Sequence, residues 1–283
     1  MCLKLYRNGA KYLPFAFAKH LIRVYINIIN KRWIMIRLIL VSSVLVVFFI
    51  ISIPVMVFLL LLRFINKGLA SDIAQFIISE VVKLILAATG SSIYVSGTQN
   101  IPKEGTVLFV SNHRSYFDIA MAYAYTHKRL GFIAKAELGN IPLLREWMFL
   151  LRCRFLDRTD MKKSVKTILA GIKNIKTGTS VWICPEGTRV RGETEFDMDE
   201  FKEGAFKIAE KGGCPIVPVA IKGTADIFEK HIPFVHPSSV IMEYGEPIYI
   251  DELDKEVQKK LGNYTRAKIA GMLSTMENRD FII

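Results

Sequence analysis

A histidine that could serve as a base stands in the run Ser111-Asn112-His113-Arg114-Ser115-Tyr116-Phe117-Asp118. An aspartate five residues on can hold one imidazole nitrogen and fix the tautomer, leaving the other nitrogen free to take a proton. The same spacing also arises as a plain structural hydrogen bond, so the pair alone leaves both readings open. It is read here without a protein nucleophile. A base of that kind activates a hydroxyl or water that the substrate brings.

Three further runs bear on the chemistry. Pro185-Glu186-Gly187-Thr188-Arg189 follows an apolar run. Glycine lets backbone approach a ligand, threonine offers a hydroxyl, and arginine offers a planar fork that matches phosphate oxygens. The alternative is an ordinary turn with a surface arginine. In Arg152-Cys153-Arg154-Phe155-Leu156-Asp157-Arg158 the three arginines stand at even positions, so an extended segment would put them on one face. Lys135 is a further candidate for an anionic group. Ile216-Val217-Pro218-Val219-Ala220-Ile221 reads as core, with Pro218 expected at a sheet edge or tunnel wall because proline lacks a ladder donor.

The elements that must position these groups alternate after Gly90. Strands are expected at Ser92–Ser96, Thr106–Ser111, Leu130–Ala134, Ser180–Cys184, Ile216–Ile221 and Ser239–Tyr244. Helices are expected at Asp118–Thr126, Pro142–Leu150, Ser164–Lys176, Lys202–Lys211 and Asp251–Met276. The alternation predicts an α/β domain with a mainly parallel central sheet flanked by helices, and His113 at a strand end, where such folds place chemistry. Asp72 to Ala88 adds an amphipathic helix.

The net charge of +12 suggests nucleic acid until it is located. No acidic residue precedes Asp72, and ten basic ones do, leaving 28 of the 38 Lys and Arg against all 26 acids. The nearly neutral body argues against nucleic-acid binding. Cys2, Cys153, Cys184 and Cys214 form no metal-ligand spacing and no disulfide framework.

The basic excess lies in residues 1–37, which read as an amphipathic segment suited to an anionic membrane surface. Leu38 to Leu62 carries no charge and is long enough to span a bilayer core; the hydrophobic segment is taken as 38–67, with Pro54 offering a kink or re-entry. The catalytic domain is then 68–283. A simple span with the basic end inside would put that domain outside, so a re-entrant or interfacial N-terminal helical segment is expected.

Taken together, four blocks resemble the glycerolipid acyltransferase family of the 1-acyl-sn-glycerol-3-phosphate acyltransferase type. They are Asn112-His113 with Asp118, Phe155 with Arg158, Pro185 to Arg189, and Val217-Pro218-Val219. Phe201-Lys202-Glu203-Gly204-Ala205 is similar to a further family run, and the likeness extends from about Ser92 to Glu246. Two positions depart from the pattern: Arg152 stands where the family often has glycine, and Cys184 where it often has phenylalanine. Arg152 is expected to crowd the backbone or add a cation near the acceptor. Cys184 is read as a small filler, with an acyl-cysteine route as the alternative.

The resemblance implies transfer of an acyl group from acyl-CoA or acyl-carrier protein to the free hydroxyl of lysophosphatidic acid, giving phosphatidic acid. His113 would be the base and Asp118 its orienting partner. Asn112, Lys135, Phe155, Arg158, Glu186, Gly187, Thr188 and Arg189 would make the acceptor site, with no metal and no cofactor besides the donor. The expected partners are the bilayer, a lysophospholipid and the donor, with the domain facing the cytoplasm. Glycerol-3-phosphate, another lysophospholipid or a lyso-amino-lipid is the alternative acceptor. A non-catalytic lipid-binding membrane protein is the alternative class.

Overall fold

The computed structural model describes residues 15–277. α1 (Phe15–Ile65) runs unbroken through Pro54, and α2 (Lys67–Thr89) turns back along it. The reversal is built at Asn66, whose Oδ1 accepts from the Gly68 and Leu69 backbone N–H groups, each at 3.0 Å, and so satisfies donors that a helix start leaves unpaired. Gly90 ends α2 with φ at 71°. A Cβ there would lie 3.1 Å from Arg37 Nε, so the end of α2 stands beside the middle of α1. The chain therefore reverses at Asn66 and not at Pro54. The part of the 1–37 segment before Phe15 lies outside the described residues; from Phe15 one helix covers both it and the apolar segment.

Arg23 to Ile65 is long and apolar enough to cross a membrane by length and composition. This helix buries Val41, Ser52, Met56 and Leu59 against the domain and leaves Ile51, Phe58, Leu61 and Phe64 exposed.

β1 (Ser92–Ser96), β2 (Leu108–Ser111), β3 (Leu130–Lys135), β4 (Arg154–Leu156), β5 (Ser180–Ile183), β6 (Ile216–Lys222) and β7 (Ser239–Tyr244) form one sheet in the order β1-β7-β6-β2-β5-β3-β4. Every pairing is parallel except β6 with β7. β2 and β5 are buried at every position, as strands covered on both faces must be. One face packs α1, α2, α3 (Phe117–Tyr125) and α4 (Leu144–Leu150) over Phe109, Phe132, Trp182 and Val217. The other packs α5 (Met161–Lys176), α6 (Lys207–Gly212) and α8 (Leu261–Glu277) over Leu108, Val110, Val181 and Ile216. The helix expected over Asp251–Met276 is two, a short α7 (Lys255–Gln258) and then α8.

Pro218 lies in an interior strand, not at an edge. Its carbonyl accepts from Gly245 N at 2.8 Å, and the β6–β7 ladder begins one residue on, at Val219. The absent N–H therefore faces the end of a ladder, where the loss is smallest.

Candidate active site

His113 lies in the loop from the carboxyl end of β2 into α3. Its Nδ1 stands 2.9 Å from Asp118 Oδ2, and an imidazole that donates from Nδ1 presents Nε2 as an acceptor. Asp118 sits in the first turn of α3. Its Oδ2 also accepts from the backbone N–H groups of Arg114 at 2.8 Å and Ser115 at 2.9 Å, and Oδ1 accepts from Thr224 Oγ1 at 2.6 Å. The aspartate side chain is 2% exposed and the histidine 19%, which makes a fixed carboxylate behind a reachable imidazole.

The backbone of His113 is held on both sides by the segment after β5. Its N–H donates to Glu186 Oε1 at 2.8 Å, and its carbonyl accepts from Val190 N at 2.9 Å. Glu186 Oε2 accepts from Asp199 N at 3.2 Å. Burial pushes the Glu186 carboxyl up to about 7, against the opposing pull of those two backbone N–H groups. Glu186 thus braces the backbone of His113.

The other expected members of the acceptor site are placed as follows. Asn112 spends both ends of its amide on Ile221, donating from Nδ2 to its carbonyl at 2.8 Å and accepting its N–H at 2.9 Å, which ties β2 to β6. Phe155 lies against Gly139, where a Cβ would meet the ring at 3.4 Å, and its carbonyl accepts from Thr167 Oγ1 at 2.8 Å. Arg189 turns to Glu229 Oε1 at 3.0 Å and to the Tyr116 hydroxyl at 3.0 Å, with its guanidinium 3.7 Å from the tyrosine ring centre. Thr188 is exposed. Lys135, at the end of β3, is paired with Glu137 at 2.8 Å.

What does converge is centred on Gly187. Its φ of +85° suits glycine, and a Cβ there would lie 3.1 Å from Lys202 Nζ and 3.6 Å from Arg158 Cζ. Two cations thus flank a bare stretch of backbone one residue after the brace of His113. The three arginines do not share a face. Arg152 has φ +59° and donates to Thr179 Oγ1 at 2.9 Å, while Arg154 donates to Asn174 Oδ1 at 2.7 Å. The expected cation near the acceptor at position 152 is therefore directed toward the start of β5, the opposite end of the strand from Glu186. Cys184 Sγ lies 3.4 Å from Ser111 Oγ, and burial pushes its thiol far above the ordinary range. That opposes thiolate formation and the acyl-cysteine route.

Sequence reasoning missed Lys202, Thr224 and Glu229. Glu229 accepts from Ser115 Oγ at 2.6 Å and from Tyr116 N at 2.8 Å, pinning the loop that carries His113. Lys202 lay within the quoted Phe-Lys-x-Gly-Ala run; Thr224 and Glu229 are more than a hundred residues from the loop they hold and belong to no quoted motif.

Comparison with known proteins places the Acyltransferase family on residues 92–222. The chain is 30% identical over 213 residues, 75% of its own length and 68% of the relative's, to a 1-acyl-sn-glycerol-3-phosphate acyltransferase of Saccharomyces cerevisiae. It is also 30% identical over 197 residues to one of Borreliella burgdorferi, covering 69% of this chain and 77% of that one. The crystal structure of the 1-acyl-sn-glycerophosphate (LPA) acyltransferase PlsC from Thermotoga maritima matches with a TM-score of 0.73 at 25% identity, covering 88% of this chain and 98% of that one.

Proposed function

The chain belongs to the glycerolipid acyltransferase family and is an O-acyltransferase, and from that premise we propose that it acylates the free hydroxyl of lysophosphatidic acid to give phosphatidic acid. The observation that carries the reading is the His113–Asp118 pair, whose backbone is held by Glu186, the residue just before a glycine flanked by Arg158 and Lys202. In this account the acceptor's phosphate lies against Arg158, Lys202 and the backbone at Gly187. His113 Nε2 takes the hydroxyl proton as the oxygen attacks the carbonyl carbon of an acyl thioester, on CoA or acyl-carrier protein. The C–O bond forms, the C–S bond breaks, and the departing sulfur takes the proton from the imidazolium. Asp118 and Glu186 act as positioning residues, one on the ring and the other on the backbone.

α1 supplies the approach to a lipid acceptor. At ~1.5 Å per residue its length is about 75 Å, more than twice a bilayer core of ~30 Å. An upright span would leave half of it outside. One side docks on the domain and the other is apolar, which supports an interfacial arrangement with the catalytic domain on the cytoplasmic side, where acyl thioesters are made.

An acceptor panel with purified protein tests the reading. Lysophosphatidic acid is expected to be the best acceptor, with monoacylglycerol, which has no phosphate, lower in kcat/KM by about 100-fold, the worth of one or two charge-assisted hydrogen bonds. Equal rates on both would overturn it.

A further inference from the structure

α5 carries a surface that the chemistry above does not use. Met161, Val165 and Leu169 are 79%, 51% and 58% exposed, and their spacing of four residues sets them in one stripe along the helix. Lys162, Lys166 and Lys173 stand on the adjoining stripe, with Lys176 in the last turn, and all four are exposed. Among the described residues none of these four has an acidic partner. Lys207, Lys230 and Lys259 on the surface elsewhere each have a carboxylate, at 2.6, 2.8 and 2.7 Å, as does Lys163 on α5 itself. A solvated helix face accounts for the lysines. It does not account for three large apolar side chains beside them.

The stripe begins at the rim of the site. Asp160 caps α5 by accepting from Lys163 N at 3.1 Å, two residues after the Arg158 that flanks Gly187. α5 also covers the sheet face opposite the one that packs α1. Its apolar stripe is thus turned away from the apolar helix, which favours a soluble partner over the bilayer.

We propose that this face of α5 docks an acidic acyl-carrier protein, which delivers the acyl group as its thioester. The inference rests on the acyltransferase reading above and names its donor. A cationic row complements an acidic carrier and steers its approach, while the apolar row supplies a centre that loses water on contact. β4 lies three strand spacings from β2, about 14 Å at ~4.8 Å each. A carrier seated on the outer side of α5, a layer above the sheet, therefore needs a flexible prosthetic arm of more than that reach to bring its thioester to His113.

The test uses the full chain in detergent micelles and the triple variant Lys162→Glu, Lys166→Glu, Lys173→Glu, with one acyl chain offered on carrier protein and on CoA. A second variant, Val165→Ser with Leu169→Ser, probes the apolar row without changing charge. For both variants kcat/KM with the carrier donor is expected to fall about 10-fold or more while that with acyl-CoA stays within about 2-fold, and flotation with anionic vesicles is unchanged. Undiminished use of the carrier donor, an equal fall with both donors, or lost flotation, which would mark a lipid surface, each overturns the proposal. Wild-type turnover with acyl-CoA and none with the carrier overturns the docking and leaves the acyl-transfer reading intact. Inactivity with both donors overturns the two together.

Discussion

Glu186 is acidic in a place where an anion was expected to bind, and its hydrogen bonds resolve the difficulty: it holds the backbone N–H of His113 and that of Asp199. Burial keeps its folded carboxyl near 7 against an ordinary value of about 4.5. Between those values the folded chain holds a proton that the unfolded chain has released. The group's contribution to stability is thus fully present below about pH 4.5 and lost as pH rises through about 7. Glu186→Gln removes that titration, so in urea melts the variant should gain relative to wild type between pH 4.5 and 7.5; a difference in stability that does not change with pH would contradict it. The His113–Asp118 contact was legible in the sequence because the two stand only five positions apart. The backbone partners of Asn112 and Glu186 were not legible, because a motif records which residues occur together and not which backbone groups they hold. Thr224 and Glu229 were missed because only the folded sheet brings them to the loop.

Parallel strands end on one side, and the elements exploit this. β2 delivers His113, β5 leads to Glu186 and Gly187, and the segment after β4 delivers Arg158, so the loop from β5 meets both the base and the cations. Gly187 is the joint between them, with a left-handed backbone and Lys202 and Arg158 close on one side. Gly187→Ala should strain the turn by about 1 kcal/mol and push the cations apart, raising KM for a phosphate-bearing acceptor several-fold while kcat changes less. An unchanged KM would show that the cations do not serve the acceptor. Most strands were readable as short apolar or β-branched runs with edges within two residues. β4 was readable only as an extended segment, since three residues are too few for a pattern. The break between α7 and α8 was not readable, and the reversal at Asn66 was passed over in favour of the proline, although α1 continues through Pro54.

At the scale of the whole molecule, the sheet that carries the site is joined to a helix whose outer side has no partner among the described residues. Ile51 and Phe58, 66% and 59% exposed and two turns apart, lie on that side. Ile51→Glu with Phe58→Glu should weaken flotation on phospholipid vesicles by about 10-fold or more and leave turnover in detergent micelles near wild type; unchanged flotation would place the lipid contact elsewhere. That helix was legible from its uncharged length, whereas its docking on α4 through Trp147 Nε1 and Ser52 Oγ at 3.2 Å was not. In the proposed reaction, residue, element and whole molecule act together: a base without a protein nucleophile promotes transfer of an acyl group to a lipid hydroxyl. Its most direct test measures thiol release and phosphatidic acid formation together, from lysophosphatidic acid and an acyl thioester, for wild type and His113→Ala. The account predicts equal yields of the two products from wild type and a loss of about 10²–10⁴ in kcat in a variant whose unfolding midpoint is preserved. Near-normal turnover by folded His113→Ala would contradict it.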